Sequence, residues 1–323
     1  MNSSNAPSSN APARTSVVPR RLAWTMWALI PVGLLAFHFG PGQQAWKEDR
    51  AAKIVARAES LQTGALKLQD IAYDAHLAAI EARIAAFGTS DESLRVAALE
   101  ANKSEEAAYA QAAAAWRETA NALAEAEAVV AETGGSVRDE IRLARGRALV
   151  RTGDVEAGAA VLEDLLTELM DARAAESADS GAPRAVRTAA SSDADALARA
   201  TREELATAYY YGARLLRLGG QPAEQWREAA ARAKQNFRFL AEDAKTRGAS
   251  GEEIANHEKN GELVLNLEQS SLDELYAKPR PKDSPTGNCN GLCDKKGKKP
   301  GKRPGGEKPS KGAGMNGEIG QGW

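Results

Sequence analysis

A helical spacing with few breakers runs through most of this chain and limits its fold more than any other feature. Ile54, Ala58, Leu61, Ala65, Leu68 and Ala72 follow one another at steps of four and three, and Tyr73, Leu77, Ile80, Ile84 and Phe87 keep that rhythm after a slip of one residue. Such steps place side chains on one face of an α-helix, so a single helix from about Gln44 to Phe87 satisfies both runs, with a coiled-coil partner as one way to cover it. Gly64 is its one weak point and leaves open a break into two helices. Tyr109, Ala113, Trp116, Ala120, Leu123, Ala126 and Val130 mark a further helix ending before Thr133-Gly134-Gly135. Trp226, Ala230, Ala233, Phe237 and Leu240 mark another, and both tryptophans are expected in the core.

Start signals accompany these stripes. Thr89-x-x-Glu92, Thr201-x-x-Glu204, Ser250-x-x-Glu253 and Ser271-x-x-Glu274 have the capping-box pattern, in which a hydroxyl and a carboxylate satisfy orphan backbone donors of the first turn. No stretch of alternating β-branched residues competes with them. The expectation is an all-α body over residues 44–277, with seven to nine helices and a polar insertion at about Ala175–Asp195 read as a mobile loop.

Ahead of that body, Leu22–Phe39 (LAWTMWALIPVGLLAFHF) is uncharged and directly follows Arg20 and Arg21. A membrane helix needs about 20 mostly apolar residues, and Trp24 and Trp27 suit an interfacial aromatic belt. A cleaved signal peptide would need small residues at its exit, whereas Phe37, His38 and Phe39 stand there. An uncleaved anchor over residues 22–43 is therefore expected, ahead of a cleaved signal or a buried helix. Arg14, Arg20 and Arg21 precede it without any acidic residue among the first 46. The positive-inside rule then keeps residues 1–21, a Ser/Asn/Ala/Pro-rich tail expected to be disordered, in the cytoplasm and the bulk of the chain in the periplasm.

Charge is unevenly distributed. Residues 278–323 carry a net +7 and residues 1–46 a net +3, so the body holds −12 within an overall −2. An acidic helical body lacks the clustered basic face of a nucleic-acid binder. No nucleic-acid partner is expected.

Glu140–Leu166 (EIRLARGRALVRTGDVEAGAAVLEDLL) has a helix with Gly146 and Ala148, a turn at Gly153-Asp154, and a second amphipathic helix with Val155, Ala159, Leu162 and Leu165. It resembles a tetratricopeptide repeat. Glu204–Ala233 repeats the first half, with Gly212 and Gly219 again seven apart, and the Trp116 helix supplies a degenerate neighbour. Arg142 and Ala208 depart from the family at large aromatic positions, and Gly158 and Glu224 at alanine positions. The resemblance implies antiparallel helical hairpins and a concave groove lined by Leu143, Arg147, Val150 and Arg151 in one unit and Tyr209, Ala213, Leu216 and Arg217 in the next. Guanidinium groups beside an aromatic face would suit a peptide carboxylate. The anchor and its exit, Phe37-His38-Phe39-Gly40-Pro41-Gly42-Gln43, also resemble those of single-pass helical proteins of the inner membrane in high-GC bacteria such as planctomycetes.

Little in the sequence suits catalysis. His38 lies at the membrane exit, His76 among Asp74, Leu77 and Glu81, and His257 one turn from Glu253. Two ligands do not make a zinc site, and no HExxH, G-x-S-x-G, P-loop or dinucleotide fingerprint occurs. No enzymatic activity, metal or cofactor is expected. The Pro/Gly/Lys-rich stretch 278–323 reads as a disordered basic tail. Within it, Cys289 and Cys293 flank an Asn-Gly loop and either close a small disulfide or stay free. Asp294–Lys311 holds eight basic residues against two acids, suiting anionic lipid, cell-wall polymer or an acidic partner. Two functions fit: a membrane-anchored extracytoplasmic scaffold for a protein or peptide partner, and an envelope-organising protein that self-associates through its long first helix. A covered or uncovered Ile54–Leu68 stripe separates them.

Overall fold

The computed structural model describes residues 20–39, 41–131, 135–180, 189–277 and 279–285, and these form helices without any strand. In chain order the helices are α1 (Arg20–Phe39), α2 (Pro41–Ala86), α3 (Glu92–Val130), α4 (Ser136–Thr152), α5 (Val155–Ser180), α6 (Ala189–Leu218), α7 (Ala223–Thr246), α8 (Gly251–Gln269) and α9 (Leu272–Ala277). The fold is all-α, and the chain divides into two compact units, Met1–Asp49 and Arg50–Trp323.

In the first unit, α1 presents Trp27, Leu29, Ile30, Val32, Leu34, Leu35 and Phe37 outward, each 52–74 % exposed. Among the described residues no helix is long and apolar enough to cross a membrane. The residues preceding Arg20 lie outside the described part.

The second unit begins within α2, which is one uninterrupted helix. Pro41 is its first residue, where a missing N–H costs nothing. Gly64 is accommodated without a break, and nothing lies within 4 Å of where its Cβ would be. Ala51, Ala58, Ala65, Ala72 and Ala79, at seven-residue intervals, are at most 2 % exposed. Small side chains on that line let α2 lie close against α3, where Trp116, Ala120, Leu123, Ala126 and Val130 complete one core cluster and Tyr109 and Ala112 another. Ile54, Leu61 and Leu68 pack into these clusters as partly buried residues. The Ile54–Leu68 stripe is thus partly covered by the chain itself.

From α3 onward each helix packs on the next, α3 to α4 and so on to α8. The main core joins Leu143, Val150, Leu162, Leu165, Tyr211, Phe237, Val264 and Leu267 from α4 to α8. The α4–α5 turn is as tight as its residues allow. Gly153 sits at φ 92°, a conformation that glycine adopts without steric cost, and its N–H donates to Val150 O at 3.1 Å. Asp154 then accepts from Ala157 N–H at 3.3 Å to start α5. Trp116, Trp226, Ala230, Ala233, Phe237 and Leu240 are all buried.

Four boundaries differ from the sequence reading. Of the Ala175–Asp195 insertion, Ala175–Ser180 extends α5 and Ala189–Asp195 opens α6; only residues 181–188 lie outside the described part. Thr201 is no cap: it is fully buried within α6 and its hydroxyl donates to Leu197 O at 2.8 Å, the back-bonding open to a mid-helix threonine. At α3 the N-cap is Asp91, whose carboxylate accepts from Ser93 N–H at 2.9 Å, with Thr89 holding Asp91 N–H in turn. Ser250 does cap α8. Ser271 and Glu274 make the reciprocal box at α9, with Glu274 N–H to Ser271 Oγ at 3.2 Å and Ser271 N–H to Glu274 Oε2 at 2.9 Å.

The fourth difference is the largest. Residues 279–285, assigned above to the basic tail, form an ordered strap against the body. Gln69 Nε2 of α2 donates to Lys282 O at 3.2 Å and Ser284 O at 3.1 Å, and Ser284 and Pro285 are among the most buried residues of the chain. Residues 286–323, with Cys289, Cys293 and the basic run Asp294–Lys311, lie outside the described part.

Candidate functional site

The groove positions inferred from the repeat resemblance do not converge on one open surface. Leu143, Val150, Ala213 and Leu216 are buried in the core. The arginines hold helices together instead. Arg147 Nε donates to Glu204 Oε1 at 2.6 Å, tying α4 to α6. Arg151 lies 5.0 Å above the Trp116 ring and 3.6 Å from Asp283 of the strap. Arg217 stacks 4.6 Å from the Trp226 ring and donates to Ser270 O. Tyr209, whose hydroxyl donates to Glu163, is the one member of the set that lines a cleft.

That cleft, about 290 Å³, lies between α6 and α7. Arg202, Leu205 and Tyr209 come from α6; Arg232, Gln235, Asn236 and Phe239 come from α7. Leu205 is buried and gives it an apolar floor. The Arg202 guanidinium lies 4.1 Å above the Phe239 ring and donates to Asn236 Oδ1 at 3.1 Å. Burial holds its pKa below the usual guanidinium value, opposed by Asp243, yet no carboxylate of the described residues pairs with it. Arg232 differs, because Glu228 at 2.8 Å and Glu163 at 3.4 Å already occupy it. A cation stacked on an exposed aromatic edge and lacking an acid suits an incoming carboxylate. The sequence signal was an aromatic residue, Phe239, on the otherwise polar Arg232/Gln235/Asn236 face of a helix.

A second polar cluster lies where the strap crosses α2 and α3. Glu105, 5 % exposed, accepts from His76 Nδ1 at 2.7 Å, Arg280 Nη2 at 2.7 Å and Arg83 Nη1 at 3.1 Å. His76 Nε2 accepts the Arg280 backbone N–H at 3.2 Å, so the ring proton sits on Nδ1 and faces the carboxylate. Burial alone would raise the Glu105 pKa, but the His76 hydrogen bond and the Arg280 and Arg83 charges hold it below the usual carboxylate value. His76 therefore has partners, a carboxylate and a backbone amide, that spacing in the sequence did not show. His257 is buried and 3.8 Å from Glu253, and burial lowers its pKa. Among the described residues no group of His, Cys, Asp and Glu is placed to hold a metal ion.

Compared with known proteins, the chain matches no family model, no curated protein and no solved structure.

Proposed function

We propose that this chain is a membrane-anchored extracytoplasmic scaffold whose tetratricopeptide-like hairpins dock an acidic segment of a protein or peptide partner in the α6–α7 cleft. The observation that carries this reading is Arg202, stacked on Phe239 at 4.1 Å and in an ion pair with no carboxylate of the described residues. The anchor rests on the uncharged Leu22–Phe39 segment, on Arg14, Arg20 and Arg21 ahead of it, and on the uncovered apolar side chains of α1. On this reading the protein crosses a bacterial inner membrane once, with its N-terminus cytoplasmic and the helical body periplasmic. Function is binding, with no chemical step and no cofactor. Self-association through the Ile54–Leu68 stripe is disfavoured because Ile54 and Leu61 are partly buried against a core cluster that α3 and α4 share with α2.

The cleft is tested by a photo-crosslinking residue in place of Phe239, used in intact membranes with and without Arg202→Glu. An adduct whose yield falls several-fold on the charge reversal is expected; the same adduct at unchanged yield removes the cleft from consideration. Topology has a separate test. A reporter active only in the periplasm, fused after Trp323, should be active, and a cytoplasmic signal there overturns the orientation.

A further inference from the structure

Arg214 of α6 is 4 % exposed and pairs with no carboxylate of the described residues. A buried guanidinium in that position loses its hydration without an ion to replace it, at a cost of several kcal/mol in general. Glu105, the acid of the adjacent cluster, is already committed to His76, Arg83 and Arg280. Among the described residues the Arg214 charge therefore has no carboxylate to pair with.

The orphaned atoms point the same way. Arg214 Nη1, Arg280 Nη1 and Tyr109 Oη are all buried without a hydrogen-bond partner. They come from three walls, α6, the strap and α3. Arg280 Cζ lies 4.8 Å from the Tyr109 ring centroid, and Arg214 and Arg280 both act on the Tyr109 hydroxyl through their charge. Burial pushes the Tyr109 pKa up to about 12, against the opposing charge of Arg280, so this phenol keeps its proton as a buried donor without an acceptor. Burial also lowers the Arg214 pKa, with Arg280 adding to the effect. An anion between them would relieve both.

We propose that Arg214, Arg280 and Tyr109 form a binding site for a small tetrahedral oxyanion of the phosphate or sulfate class, roofed by the 279–285 strap. Orphan donors from three elements suit an ion with several acceptor oxygens, and its negative charge would compensate the unpaired Arg214 guanidinium. Because Arg280 belongs to the strap, bound oxyanion also fastens the strap to α3 and α6. This site is independent of the α6–α7 cleft.

The experiment is a thermal melt of the full chain in detergent, with inorganic phosphate replacing chloride at constant ionic strength. Saturable stabilisation is expected, about 5 °C or more once phosphate exceeds its Kd a hundredfold. Arg214→Met should abolish that response while melting no lower than the wild type in phosphate-free buffer, since it removes an unpaired buried charge. A wild type that responds no more to phosphate than to chloride, or an Arg214→Met chain that responds as the wild type does, overturns the site. Tyr109→Phe covers the case in which Arg214→Met does not fold. Losing one donor to a charged ligand should raise the phosphate Kd about tenfold by isothermal titration, and an unchanged Kd counts against the proposal as directly. Repeating the titration with sulfate and with acetate separates a tetrahedral oxyanion site from a general carboxylate site.

Discussion

Gly158→Ala is expected to destabilise this chain although alanine is the better helix former, and the reason lies in how α4 crosses α5. A Cβ at Gly158 would stand 2.6 Å from Val150 Cγ2, 2.8 Å from Val150 N and 2.9 Å from Gly146 O. The last two are backbone atoms of the facing helix and cannot rotate away. Ordinary contact begins at 3.4 Å, so the helices must separate by about half an ångström where Leu162 and Leu165 are fully buried. Overpacking of this kind costs about 1–3 kcal/mol, and a backbone that cannot yield argues for the upper end. Helix propensity returns about 1 kcal/mol, leaving a net loss of about 2 kcal/mol. Gly64→Ala and Gly261→Ala are the controls: nothing lies within 4 Å of either added Cβ, so each should gain about 0.5–1 kcal/mol. Identical chemistry thus gives opposite signs, read as thermal midpoints of the full chain in detergent by circular dichroism. A Gly158→Ala chain that melts with the two controls, at or above the wild type, would refute the close-approach argument. The test is sharper because the repeat resemblance places alanine at this position.

Acid should loosen the fold in two steps. Both His257 and Glu105 have folded pKa values below their ordinary 6.5 and 4.5, so the unfolded chain binds protons first and their stabilising contributions, complete above the ordinary values, are lost as pH falls. His257→Gln is expected to flatten the step below about pH 6.5 and Glu105→Gln the one below about pH 4.5; an upper step that survives His257→Gln assigns it elsewhere. At neutral pH, Glu105→Gln also leaves Arg83 and Arg280 without their carboxylate, and a loss of about 3 kcal/mol is expected because Arg83 is 37 % exposed and can rehydrate. For the strap, Gln69→Ala removes the donor to two carbonyls, and trypsin cleavage after Lys282, the basic residue of the strap that no proline follows, should accelerate about tenfold in an otherwise folded chain. Wild-type cleavage there as fast as in an unfolded peptide would show that the strap is not seated.

Much of the fold was legible because helix formation is local. Steps of four and three, and Ser250 and Ser271 each with a glutamate three residues on, depend on neighbours within one or two turns. Misreadings arise where that locality ends. Thr201 matches the capping-box pattern but lies twelve residues into α6, and spacing alone cannot tell a cap from a mid-helix threonine that bonds backward. The strap was hidden for a stronger reason. Its Pro/Lys composition has no core-forming pattern, and it is held by Gln69 and His76, which lie more than 200 residues away in sequence. The arginines of the inferred groove lie on α4 and α6, but their partners, Glu204, Trp116 and the Ser270 carbonyl, belong to elements whose placement no local pattern encodes.

Those arginines follow from the composition. With only 5 % aromatic residues and alanine at many buried positions, several of this chain's helix contacts rest on small side chains that specify register weakly by shape. Charged pairs between neighbouring helices discriminate among registers. Arg145 meets Glu127 across α3 and α4, Arg138 meets Glu168 across α4 and α5, Arg147 meets Glu204 across α4 and α6, and Lys234 meets Glu268 across α7 and α8. Partly exposed pairs of this kind contribute at most about 1 kcal/mol each, so their effect is on which helix faces meet rather than on how stable the stack is. Arg214 stands outside that scheme. It lies deeper than any of these arginines and pairs with no acid of the described residues, so helix registration does not account for it, whereas an anion held beneath the strap would.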